Sequence, residues 1–560
     1  MSKLVSLEQA VRNTVEPGAT LAFALTHNRS HAAAFEVARQ FRDRKCLNLV
    51  ATGLLEYATI LSAAGAIART ESAFAGNTYP APSPSRQLVA GIDASPDSDP
   101  DWTNLTMTLR FMAGAMGWPF VPTTSLAGSG LWSASNRAEL RDPFNGETTG
   151  VIAALRPDVV FLHVPIADTL GNAVIHTPDA EESWAVWAAS RVVVTADRVV
   201  APEVLRRLGP RTGIPGAIVD CVVEAPFGAH PQGQFVWTPE EGVASYADDY
   251  EFRLELRKLS RDPKALRQWV EEWVFATDHA AYLARLGPER LARLQAEANT
   301  PSAPQAPSSD TPASEEERAA TLAMRVAIVE AEQGRSEMFF AGIGLAHLAA
   351  WAAEVECRSR GIAVDLVAET GMYGFRPIPG DPYLFNRPNA ASSLFHTSYV
   401  RTLGAIGGPK GRRCLALLAA AQIDRAGNIN SSRSADGRFI VGSGGANDLG
   451  SGESSCLIVM PLKPGRFVER LPFTTTPVRS LSAVATDLGL FEPLIVDGVR
   501  TLSLTGVMCE AGQESATAAE VRQRVGFDIS IADRLVRHEP PQPQELARLR
   551  SFDPTRALLA

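Results

Sequence analysis

The segment DVVFLHVPIADTLGNAVI, residues 158–175, carries an apolar run into Asp168, two intervening residues, and then Gly171-Asn172. A run of Val, Phe, Leu and Ile this continuous reads as a strand buried on both faces, the mark of a parallel sheet covered by helices. The residues after it read as a tight turn. An aspartate carboxylate can collect backbone N–H groups there, and glycine reaches positive φ without steric cost. Residues 413–431, RCLALLAAAQIDRAGNINS, repeat the pattern, with Asp424 in the place of Asp168 and Gly427-Asn428 in the place of Gly171-Asn172. The repetition predicts two similar halves descended from a duplication. Asp168 and Asp424 are accordingly read as turn formers, not catalytic acids.

Both halves alternate strand-like and helix-like segments. GATLAFAL, CLNLVA and RVVVTAD in the first half, and EMFFAGIG, AVDLVAE and SCLIVM in the second, read as strands; SHAAAFEVARQFRDR and GLAHLAAWAAEVECRSRG read as helices between them. This alternation predicts an α/β protein made of two similar open α/β domains with mainly parallel sheets, packed together. Residues 301–314, PSAPQAPSSDTPAS, hold too little apolar surface to join a core and read as a linker. The expected division is a first domain over 1–299, a linker over 300–317 and a second domain over 318–560.

Composition narrows the class. The chain has 560 residues, 45% of them hydrophobic, enough for two cores. Its net charge of −9 and the absence of a strong Lys/Arg block argue against a nucleic-acid binder. No apolar run reaches the ~18 residues that a membrane span needs, and MSKLVSLEQAVRN reads as an amphipathic helix, not a signal peptide. The six cysteines lie scattered, several in apolar runs, with no zinc spacing. A cytoplasmic protein without nucleic-acid or membrane partners is expected. His27 and His31, four apart, have no visible third ligand, so no metal is expected.

The stretch VDLVAETGMYGF, residues 364–375, delivers the carboxylate of Glu369 from a buried strand into a Thr-Gly turn. One reading makes it the ribose-binding acid of a dinucleotide site, because SEMFFAGIGLAHLAA (336–350) supplies strand, Gly-x-Gly and helix about twenty residues earlier. Against this, the third glycine position is His347. A second glycine loop, VGSGGANDLGSGESS (441–455), exposes backbone N–H groups of the kind that stabilise an oxyanion.

These motifs together resemble the family I (class I) CoA-transferases, in particular the glutaconate-type enzymes built from two subunits. Residues 1 to about 299 resemble the A subunit through LRFMAGAMGWPFVPTTSLAGSG, RPDVVFLHVPIADTLGNAVI and VDCVVEAPFGAHP. Residues from about 318 resemble the B subunit through FFAGIGLAHLAA, VAETGMYGF, AIGGPKG, AQIDRAGNINSS and GSGGANDLGSG. The two subunits are fused here. The resemblance implies that Glu369 is a covalent nucleophile, taking an acyl group from an acyl-CoA as a mixed anhydride and then CoA as a glutamyl thioester, with ping-pong kinetics. It implies that Gly444, Gly445, Ala446 and Asn447 form the oxyanion and CoA-binding loop, with Gly444 and Gly445 as alternative donors. Lys410 is the expected contact to CoA phosphates, and Asn28 and Arg29 the expected contacts to the acid substrate. Coenzyme A enters as a substrate, with a free carboxylic acid as the second partner and no tightly bound cofactor. A homodimer of fused chains follows from the same resemblance. The alternative on this fold is CoA-thioester hydrolysis. Related hydrolases use an A-half glutamate upstream of a PF-x-P stretch, where this chain has Asn104, and lack the B-half nucleophile that this chain retains.

Overall fold

The computed structural model describes residues 2–560 apart from 25–26, 134, 176–177, 179–180, 182, 209–211, 237–241, 300–310 and 497. The first half is built on an eight-stranded sheet. Its centre is Val159–Asp168, every residue of which is buried. That strand pairs in parallel with Thr20–Phe23 on one side and Arg191–Val200 on the other. Leu47–Leu54 and Ile67–Ala75 continue the parallel order beyond Thr20–Phe23. The short strand Ala173–Val174 folds back antiparallel onto the end of Val159–Asp168.

The fold-back is the turn anticipated from the sequence. Asp168 Oδ1 accepts the backbone N–H of Leu170 and of Asn172, both at 2.9 Å, and Oδ2 accepts the Asn172 amide at 2.7 Å. Gly171 takes φ 97°. Asp424 does the same in the second half, accepting the Asn428 backbone N–H at 2.8 Å and its side-chain amide at 3.0 Å, with Gly427 at φ 85°. The copies differ in one respect. In the second half the main-sheet strand ends at Leu418, and the turn rides on Gln422–Asp424 in a separate three-stranded sheet.

The second half carries a ten-stranded sheet. Its centre is parallel: Asp365–Ala368, Met338–Ala341, Cys414–Leu418, Ser455–Val459 and Leu481–Ala485. Both flanks begin antiparallel, with Met372–Phe375 on one side and the hairpin Gly489–Val496/Val499–Met508 on the other. Most of the expected linker lies outside the described residues. Ser314 caps helix Glu315–Glu332 in a reciprocal box with Glu317, so positions 315–317, assigned to the linker from sequence, are helical.

Backbone hydrogen bonds sew the halves together beside the parallel strand ends. Ala75 donates its N–H to the Val441 carbonyl at 2.9 Å, and Gly444 donates to the Ala73 carbonyl at 3.0 Å. Gly442, at φ 91°, lies so close that a Cβ there would sit 2.5 Å from the Ala73 oxygen. The glycine loop of one half is thus docked on the edge strand of the other.

Candidate active site

Glu369 follows strand Asp365–Ala368 directly and stands in the turn that leads into Met372–Phe375. The turn has one shape open to it. Gly371 adopts φ 104°, and a Cβ on it would fall 1.9 Å from the Thr397 carbonyl oxygen. Thr397 donates its N–H to Gly371 O at 2.7 Å, and Thr402 Oγ1 donates to Glu369 O at 2.7 Å. The Glu-x-Gly spacing therefore fixes the backbone of the acid and leaves its side chain to face a cavity of about 410 Å³ between the halves.

Two donors reach the Glu369 carboxylate: the side-chain amide of Asn104 and the backbone N–H of Gly445. They come from opposite halves. Asn104 is the first residue of helix Asn104–Ala115, whose N-terminus is capped by Thr103 and bonded through the Asn104 N–H to Gly444 O at 3.0 Å. Gly445 immediately precedes the short helix Ala446–Gly450. A second carboxylate stands nearby. Asp448 is 4% exposed and accepts the Thr103 hydroxyl at 2.6 Å, the Leu105 N–H at 3.2 Å and the Ser125 hydroxyl. Adjacent residues at one helix N-terminus, Asn104 and Leu105, thus hold two adjacent carboxylates, where the helix dipole favours negative charge.

Burial pushes Glu369 up to about 7, and the charge of Asp448 adds to the rise, while the bonds from Asn104 and Gly445 oppose it. Burial likewise pushes Asp448 up to about 7 against its three donors. The result is a carboxylate held in place and poised to ionise near neutrality, with a donor on each side.

The loop residues named from sequence divide sharply. The Gly444 N–H is taken by Ala73, the Ala446 N–H by Ser443 O at 3.1 Å, and the Asn447 N–H by Ser443 Oγ at 3.2 Å. Only the Gly445 N–H, of the four, is aimed at Glu369. Gly444, Gly445 and Ala446 line the cavity. Asn447 is fully buried and clamps the halves, accepting the Leu126 N–H and donating to Thr475 O, both at 2.8 Å.

The remaining residues named from sequence separate too. Arg29 lines the cavity and is fully buried. Asn28 lies outside the lining, its amide donating to His163 O at 3.3 Å and Gln234 Oε1 at 2.9 Å. Lys410 is exposed on a turn and is not part of the lining. His347, at the third glycine position, accepts the Gly344 N–H on its Nδ1 at 2.8 Å and caps the helix. Sequence reasoning marks Asn104 only as the place where an acid is missing and passes over Asp448; the Thr103–Thr106 capping pair ahead of an apolar run is the available signal for the helix start.

Residues 4–225 match the family model described as Coenzyme A transferase. An uncharacterized protein of Archaeoglobus fulgidus is 32% identical over 301 residues, 52% of this chain and 64% of that protein, so the chain spans just under two thirds of that relative. The A subunit of glutaconate CoA-transferase from Acidaminococcus fermentans is 28% identical over 316 residues, 53% of this chain and 95% of its own length. The fold of an acyl-CoA transferase from Escherichia coli O157:H7 covers 97% of this chain and 96% of its own, with a TM-score of 0.65 at 14% identity. The Coenzyme A transferase match thus lies on the first half, and the fold shared with that acyl-CoA transferase runs across both.

Proposed function

We propose that the protein moves CoA from an acyl-CoA to a free carboxylic acid, with Glu369 as the covalent carrier. The observation that carries this reading is the Glu369 carboxylate at the cavity wall, held by Asn104 from one half and Gly445 from the other. The carboxylate attacks the thioester carbonyl, forming an acyl-glutamyl anhydride and expelling CoA thiolate. The thiolate attacks the glutamyl carbonyl, releasing the first acid and leaving a glutamyl-CoA thioester. The acceptor carboxylate attacks that thioester, and the returning thiolate takes the new acyl group from the anhydride, restoring Glu369. Protons and charge balance at each step, and the anhydride conserves the activation of the thioester.

Each attack builds negative charge on a carbonyl oxygen beside the Gly445 N–H and the Asn104 amide. Donors fixed in advance at such a point act without reorganisation. Gly445 is therefore assigned as the oxyanion donor in preference to Gly444, whose N–H is occupied. The reading also carries a homodimer of fused chains and a cytoplasmic location, as the resemblance implies.

The test is incubation with an acyl-CoA and no acceptor. A mass increase on the Glu369 peptide, lost on hydroxylamine treatment, is expected. Steady release of CoA with no adduct identifies a hydrolase instead.

A further inference from the structure

The cavity wall has an unusual charge balance for an enzyme whose relative is named for glutaconate, a dicarboxylate. Among the described residues lining it, the only cation is Arg29 and the only anion is Glu369. The rest is apolar, glycine or neutral polar, including Leu55, Phe74, Ile343, Phe385 and Leu418. Arg29 is not a free counter-charge. Its Nη2 lies 3.6 Å from Glu181 Oε1 and 3.4 Å from Thr52 Oγ1, and Thr52 in turn donates to Glu181. Glu181 is 1% exposed and sits behind the cation, outside the lining.

A second carboxylate entering this space would lose its water and find no cation that Glu181 does not already hold. It would also lie in the field of Glu369 and of Asp448 behind it. Burying an unpaired charge is among the most costly things a site can be asked to do. An apolar acyl chain meets no such cost and gains from the area it buries.

We propose that the acid exchanged at this site is a monocarboxylate with an apolar, uncharged body, and that Glu181 enforces the exclusion of dicarboxylates by neutralising Arg29. The proposal rests on the transfer reading for its chemistry but on the cavity wall alone for its selectivity. The experiment uses the full chain with butyryl-CoA as donor and matched acceptors: hexanoate and phenylacetate against adipate and glutarate. The monocarboxylates are expected to exceed the dicarboxylates in kcat/KM by on the order of 10²-fold or more. Equal or better use of adipate or glutarate overturns it. In Glu181→Gln, Arg29 is released to face the cavity, and kcat/KM for adipate is expected to rise at least about tenfold relative to hexanoate; an unchanged ratio removes Glu181 from the explanation. If that variant does not fold, the wild-type ratio decides. Should no adduct form on Glu369 from any thioester, the transfer reading fails, and calorimetric binding of hexanoate against adipate still decides the selectivity: tighter adipate overturns it.

Discussion

A Cβ built on Gly445 would lie 2.2 Å from Oε2 of Glu369. The same residue donates its N–H to that carboxylate. No side chain fits where the donor must stand, and glycine is the one residue that allows both the bond and the approach. Leu403 hems the position from the other side, with its Cδ2 at 3.0 Å from that Cβ.

Gly445→Ala is therefore expected to push Glu369 out of line while leaving the fold in place. The rate of glutamyl-CoA formation should fall by roughly 10²–10³-fold, the usual loss when an oxyanion donor is displaced. Rapid-quench mass spectrometry of the Glu369 peptide checks this. Gly444→Ala provides the contrast. Gly444 takes φ 54°, so its penalty is backbone strain, read as reduced stability, and the nearest side-chain atom to its Cβ is Asn104 Nδ2 at 3.9 Å. A larger rate loss from Gly444→Ala than from Gly445→Ala would reverse the assignment.

The pH dependence follows from the two carboxylates. A carboxylate acting as the proposed nucleophile must be ionised, and burial with the Asp448 charge raises Glu369 to about 7. Adduct formation should rise with pH across about 6 to 8 and then level. Asp448→Asn removes the repelling charge, lowers the Glu369 value and moves the rise toward acid. Asn104→Ala removes a donor to the ionised form and moves it toward alkali. Opposite displacements in the two variants are the signature; displacement of both in one direction would mean that neither group acts on Glu369 as described.

Much of this is legible in the chain without coordinates. Asp168 and Asp424 repeat a local turn whose hydrogen bonds span four residues, so sequence contains all of its parties. Glu369 at a strand end followed by Gly371 is likewise local. What escapes depends on partners hundreds of positions apart. Thr103 meets Asp448 across 345 residues and Leu126 meets Asn447 across 321. Nothing in ANDLG says that its aspartate will cap a helix of the other half. Asn28 and Arg29 are neighbours in sequence, yet Asn28, at φ 49°, bonds His163 and Gln234 while Arg29 meets the cavity. The hairpin at Gly489–Met508 is absent from the strands read in sequence, although Asp497-Gly498 between apolar runs is a recognised turn signal.

Glu369→Gln should abolish the adduct and raise stability at the same time. A carboxyl whose folded pKa lies above its unfolded value favours the native state fully below the unfolded value, and that contribution is lost as pH rises through about 7. At pH 8 the wild-type fold carries an ionised, half-buried acid beside Asp448, and the glutamine variant does not. Asn104 can turn its amide to keep its pairing with glutamine. The melting temperature of Glu369→Gln is expected to exceed wild type at pH 8, with the gap shrinking as pH falls toward 4.5. A gap that grows on acidification would contradict the raised value.

Asn447 tests the clamp itself. Its side chain satisfies the Leu126 N–H from one half and the Thr475 carbonyl from the other, in a site with no exposure. Asn447→Ala leaves both backbone groups buried without a partner, each costing about 1–3 kcal/mol. Unfolding in urea should register a loss of about 2–4 kcal/mol. Gly445 lies two residues upstream on the same turn, so loosening the clamp should also slow adduct formation while Glu369 keeps its own pH rise. Asn447→Asp keeps an acceptor for Leu126 but turns an acceptor toward the Thr475 carbonyl, so it should recover little of the lost stability. If Asn447→Ala matched wild type in urea, the junction would be held without it by the remaining contacts between the halves, among them those at Ala73, Ala75 and Asp448.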